Sequence, residues 1–145
     1  MTAANPARAT REGNPTETTI ERVVEWYDTD AAGHQHYMAI LRWLEAAEAE
    51  LLRGHGLDRL FGRIPRVRHE VDYHARLTFG QPVRVTIRVA RLGRTSLRYE
   101  FDMVAADETI VADGVLIVVY VPTLESSATP WPPEVVAALR PAEAG

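Results

Sequence analysis

Apolar and polar positions change their period along the chain. Between Thr19 and Trp26, the residues Ile20, Val23, Val24 and Trp26 suggest a first strand with imperfect alternation. It ends at a turn rich in Asp and Gly. From Tyr37 to Arg53 the residues Ile40, Leu44, Ala47 and Leu51 recur at helical spacing. Leu41, Trp43 and Leu52 widen that stripe, and Gly54 and Gly56 stand where a helix would stop. The pattern predicts one long, mostly buried helix.

After the helix the period falls to two. Val67, His69, Val71, Tyr73, Ala75 and Leu77 alternate with Arg68, Glu70, Asp72, His74 and Arg76, the pattern of a strand with one solvated face. Gly80-Gln81-Pro82 turns the chain. A third strand is expected over Val83 to Val89, a fourth over Leu97 to Met103 and a fifth over Ile110 to Val121. Their short connections favour antiparallel neighbours. The run Val115 to Val121 does not alternate, so both its faces are expected to be covered, one by the helix and the other by a partner subunit. Pro132 or Pro133 suits the first turn of a short terminal helix from Glu134 to Leu139. One strand, one long helix and four consecutive strands make an α+β domain in which a sheet wraps a single helix.

The composition narrows the chemistry. At 145 residues one domain is the default, and residues 1–16, small, polar and proline-containing, are expected to form a flexible tail before a domain spanning 17–145. A formal charge of −4 argues against nucleic acid as a partner. The absence of cysteine excludes a thiol nucleophile, a disulfide framework and a thiolate metal site. The N-terminal stretch has no apolar core of signal-peptide length, and the longest apolar run is too short to cross a bilayer, so a cytoplasmic protein without membrane partners is expected.

The chemistry-bearing segment is Asp28-Thr29-Asp30-Ala31-Ala32-Gly33-His34-Gln35-His36-Tyr37, which runs into Arg42-Trp43-Leu44-Glu45. With YHARLTFGQPV at 73–83 and Leu92-Gly93-Arg94-Thr95-Ser96 downstream, it resembles the 4-hydroxybenzoyl-CoA thioesterase family over residues 19–139. The resemblance implies a hotdog fold, an antiparallel sheet of about five strands wrapped around one long central helix. It implies hydrolysis of an acyl or aryl thioester of CoA or of a phosphopantetheine carrier protein, with no cofactor beyond that substrate, by a homodimer or homotetramer. Asp30 matches the family's catalytic aspartate and Asp28 the outer member of the pair. Release of a polyketide or fatty-acyl chain from an acyl carrier protein and non-catalytic binding of a thioester are the rival readings.

A thioester carbonyl needs an attacking oxygen and donors for the oxyanion that develops. Asp30 can attack directly or activate water; alternatively both aspartates only cap a turn. Gly33 lets the backbone approach the substrate, and the amides of His36 or Tyr37 are expected to face the oxyanion near the helix start. His36 can also line the site. The His34-x-His36 pair lacks further ligands at a recognised spacing, so no metal is expected. His69, on the apolar face of its strand, is either a hydrogen-bonded core residue or a contact in an acyl pocket. Arg91, Arg94, Thr95 and Ser96 resemble the hairpin near the nucleotide end of CoA, although arginines at a hairpin are also ordinary surface charge.

Overall fold

The computed structural model describes residues 16–140. Five strands form one antiparallel sheet in the order β1-β3-β4-β5-β2, with β1 at Glu17–Val23, β2 at Arg66–Tyr73, β3 at Pro82–Leu92, β4 at Ser96–Ala105 and β5 at Ile110–Val119. Helix α1, Ala39–Gly54, packs mainly on β1 and β3, and the short α2, Pro133–Leu139, packs on β3. This is the hotdog arrangement.

The register explains why period-two sequences fold against this helix. Val85, Met103, Ala112 and Tyr73 lie in one cross-strand row; Ile87, Phe101, Gly114 and Val71 make the next, and Tyr99, Leu116 and His69 the row after it. Most of these residues share a core with Ile40, Leu44, Ala47 and Leu51 of α1. Truncating a buried leucine such as Leu44 to alanine in such a core costs about 2 to 5 kcal/mol. On the opposite face the alternation is broken by buried polar groups. Arg88 donates to Asp102 across 2.6 Å, and both are almost wholly buried.

The fifth strand ends at Val119 rather than Val121, and three further boundaries differ from those expected for a visible reason. The first strand stops at Val23, and Trp26–Asp28 form a 3-10 turn, so Trp26 is 74% exposed rather than packed in a sheet. The long helix begins at Ala39 rather than Tyr37, because the imidazole of His36 and its own carbonyl take the amides of Met38 and Ala39. The second strand ends at Tyr73, where the amides of His74 and Ala75 both turn to the Val111 carbonyl and disrupt the ladder. Residues 1–15 of the expected tail lie outside the described residues; Thr16 is buried, and its carbonyl accepts the Val89 amide at 3.1 Å.

Candidate active site

The loop from Asp28 to His36 is fastened at both ends. Asp28 is buried; its carboxylate accepts the Glu25 amide at 2.9 Å and is ion-paired with Arg42 on α1. Its main-chain carbonyl accepts the His36 amide at 2.6 Å, which joins the start of the loop to its end. Gln35, also buried, fixes the other flank. Its amide donates to the Leu77 carbonyl at 2.8 Å, while its side-chain oxygen accepts the Leu77 amide and its side-chain nitrogen reaches the Ala75 carbonyl. Sequence reading missed Gln35, because the partners it clamps lie about 40 residues away.

Inside these clamps the chain turns tightly. Asp30 donates its amide to the His34 carbonyl at 2.9 Å and accepts the Gly33 amide at 3.0 Å, a turn that puts Gly33 at φ +82°, where a Cβ would be strained. The Asp30 carboxylate is exposed. Its Oδ1 accepts the amides of Ala32 at 2.9 Å and His34 at 3.4 Å, whereas nothing among the described residues donates to Oδ2. Asp30 therefore stabilises the turn with one oxygen and offers the other to solvent.

Of the two amides named as alternatives for facing an oxyanion, that of His36 is committed to Asp28, which leaves the Tyr37 alternative. The Tyr37 amide has no acceptor among the described residues and lies just ahead of α1. The His36 ring accepts the Met38 amide through Nδ1 at 3.0 Å and stacks on the Tyr37 ring, centroids 4.6 Å apart. Tyr37 is 62% exposed, and its carbonyl accepts the Tyr73 hydroxyl at 3.3 Å. Asp30, Gly33, His36 and Tyr37 are thus brought together. Among the described residues no group of three or more His, Asp or Glu is arranged to hold a metal ion.

The remaining expected site residues sit elsewhere in the same chain. β3 runs from the Asp30 end of the sheet, where Gln81 accepts the Val24 amide, to the β3–β4 hairpin, and its 11 residues span about 33 Å. Arg91, Arg94, Thr95 and Ser96 therefore stand at the far end from their own Asp30. Arg91 and Arg94 are exposed, while the Ser96 carbonyl accepts the Trp131 indole N–H at 3.1 Å and ties α2 to the hairpin. His69 lies midway along β2, half-buried beside the Phe101 ring, and its buried Nε2 has no hydrogen-bond partner. Burial, and secondarily the Arg66 charge, lowers its pKa from the ordinary imidazole value.

At that far end is a groove of about 400 Å³ with Phe61, Ile64, Val121 and Leu124 among its walls and the ion pair of Glu48 and Arg66 at its edge. Sequence reading assigned neither charge. Their spacing of 18 residues follows no local repeat, and only the fold brings Glu48 of α1 against the start of β2. The buried Tyr99 hydroxyl makes no well-formed hydrogen bond; burial, together with the neighbouring Glu48 carboxylate, pushes its pKa well above the ordinary phenol value.

The sequence model of the thioesterase-like superfamily matches residues 24–139. The chain belongs to this superfamily. A thioesterase from Thermus thermophilus, solved in complex with coenzyme A and zinc, superposes on this thioesterase-like protein with a TM-score of 0.79 at 28% identity, covering 89% of this chain and 94% of that one. A 1,4-dihydroxy-2-naphthoyl-CoA thioesterase from Synechocystis superposes with a TM-score of 0.77 at 21% identity, covering 85% of this chain and 95% of that one, and speaks for the fold. The 1,4-dihydroxy-2-naphthoyl-CoA hydrolase of Synechococcus sp. (strain CC9605) is 32% identical over 108 residues, 67% of this chain and 72% of the relative. Hotdog fold and thioester hydrolase class, both expected from the sequence, are thereby supported. No helix among the described residues is long and apolar enough to cross a membrane.

Proposed function

We propose that this protein hydrolyses an acyl- or aryl-CoA thioester as a member of the 4-hydroxybenzoyl-CoA thioesterase branch of the superfamily. The observation that carries the reading is the pairing, on one clamped loop, of a carboxylate oxygen and an amide that are both uncommitted: Oδ2 of Asp30 and the N–H of Tyr37. Asp30 either attacks the thioester carbonyl or takes a proton from an attacking water. In the first route an Asp30–acyl anhydride forms as the C–S bond breaks, and water then cleaves the anhydride; in the second the water oxygen bonds the acyl carbon as the C–S bond breaks. In both, one water supplies the hydroxyl of the free acid and the proton of the departing CoA thiol. The Tyr37 amide, aided by the positive end of α1, receives the developing oxyanion, a donor worth about 3 to 4 kcal/mol in an acyl-transfer site. The names of the relatives point to a CoA-borne aromatic acid as the first substrate to try.

The site is shared between two subunits. β2 is a sheet edge, and α1 packs mainly on β1 and β3, so the inner face of β2 is incompletely covered: His69 and Val71 are only half-buried, and Tyr73 is 50% exposed. An edge with such a face favours pairing with a second copy. Antiparallel β2-to-β2 pairing sets the Arg66 end of one subunit beside the Tyr73 end of its partner. That places the groove and the hairpin arginines of one subunit near the Asp30 loop of the other. Arg91 and Arg94 then serve the CoA phosphates in trans, and His69 with the groove receives the acyl group.

A hydrolysis screen tests the proposal: 1,4-dihydroxy-2-naphthoyl-CoA, benzoyl-CoA, a series of short to long acyl-CoAs and a carrier protein loaded with an acyl-phosphopantetheine arm, with release of free thiol as the readout. Turnover on an aromatic CoA ester well above background is expected. Background rates on every thioester would leave a binding protein instead.

A further inference from the structure

We propose that His36 is a positioning residue whose neutral ring, by accepting the Met38 amide through Nδ1, holds the neighbouring Tyr37 amide where the oxyanion forms. This rests on the functional reading above and adds the group that maintains its donor. Helix α1 has no side-chain cap from Met38, the residue at its N-cap position. The cap comes instead from His36, two residues upstream: its Nδ1 takes the Met38 amide at 3.0 Å and its carbonyl the Ala39 amide at 2.8 Å. Its own amide is spent on the Asp28 carbonyl. His36 thus fixes the chain on both sides of Tyr37 and covers the Tyr37 ring, while the Tyr37 amide stays uncommitted.

An Nδ1 that accepts a hydrogen bond carries no proton, so the ring must be neutral with its proton on Nε2. A second proton turns Nδ1 into a donor facing another donor, and the cap is lost. The Tyr37 ring stacks on the imidazole, the Tyr73 hydroxyl from β2 holds the Tyr37 carbonyl, the His36 amide bonds the carbonyl of Asp28, whose carboxylate pairs with Arg42 of α1, and Asp30 and His34 lie six and two residues upstream in the same loop. None of them takes the place of Nδ1 as acceptor for Met38. Activity should therefore fall wherever the ring takes up its second proton.

The test joins spectroscopy to kinetics in the full-length protein. Long-range nitrogen–proton correlation spectra of the His36 ring should give the Nε2–H tautomer at pH 8, and the Met38 and Tyr37 amide shifts should move together as His36 titrates. His36→Ala should lower kcat about fivefold to tenfold with little change in KM, as expected for loss of a cap. His36→Asn, whose side-chain oxygen accepts an amide at any pH, should recover most of that loss and erase the imidazole limb of the pH profile. An Nδ1–H tautomer would overturn the proposal, as would wild-type kcat in His36→Ala or an acid limb retained in His36→Asn. Should the wild-type protein hydrolyse no thioester, the functional reading fails separately; the ring tautomer and the Tyr37 amide shift in the two variants still decide the capping claim.

Discussion

Asp28 and Arg42 form an ion pair in which the carboxylate is buried and the guanidinium half-exposed, so that the turn preceding Asp30 is fastened to the first turns of α1. The two aspartates of the loop thereby have separable duties. Asp28→Asn removes the charge that holds Arg42 and the Glu25 amide, and should cost about 1 to 2 kcal/mol of stability, with part of the Arg42 interaction lost to solvent screening. Asp30→Asn, at an exposed position, should cost less than about 0.5 kcal/mol. Urea unfolding of the two variants checks this ordering; equal or inverted losses would contradict it.

Gln35 is the second clamp, and its removal should be felt in both stability and catalysis. Gln35→Leu keeps the volume but leaves the buried Leu77 amide without an acceptor, a cost of about 1 to 3 kcal/mol. Hydrogen exchange over residues 28–36 should accelerate and kcat should fall. Unchanged exchange would show that Asp28 alone holds the loop.

The lowered pKa of His69 makes stability depend on pH in a stated direction. In the unfolded chain the imidazole binds its proton near the ordinary value of about 6.5, while in the folded protein burial delays it to lower pH. Between these two values the unfolded state holds more protons, so stability falls as pH drops from about 6.5 through the folded pKa. The melting temperature of His69→Leu should lose less than wild type between pH 7 and pH 5. Identical slopes would remove His69 from the account.

The proposed sharing of the site between two subunits is open to complementation. The Asp30→Asn protein alone should be inactive, and the Arg91→Ala/Arg94→Ala protein alone should have a raised KM for acyl-CoA. Refolding the two together should produce mixed dimers in which one site combines an intact Asp30 with an intact hairpin, so that hydrolysis at low substrate rises above the sum of the parents. No such gain would place the arginines outside the site.

Much of this architecture was legible because each signal was local. The alternation from Val67 to Tyr73 needs only neighbours to be read, and the register confirms which side faces inward, with His69 in the row of Leu116 and Tyr99 and Val71 in the row of Gly114 and Phe101. The Asp-x-Asp-x-x-Gly loop was legible for the same reason, since Gly33 and Asp30 close a turn within four residues. What stayed hidden depends on contacts distant in sequence. The Gln35 clamp, the Glu48–Arg66 pair and the buried Arg88–Asp102 pair join residues 14 to 42 positions apart. The start of α1 was misplaced because a histidine, not one of the usual capping residues, supplies the cap.

The most direct measurement is the single-turnover and steady-state hydrolysis of the best acyl-CoA by Asp30→Asn, with CoA binding followed in parallel. The carboxamide preserves size and can still accept the loop amides, but it cannot attack or take a proton. A fall in kcat of at least about a thousandfold, with KM and CoA affinity within a few-fold of wild type, is the expected result. Retention of most of the activity by a folded Asp30→Asn protein would contradict the account at its centre.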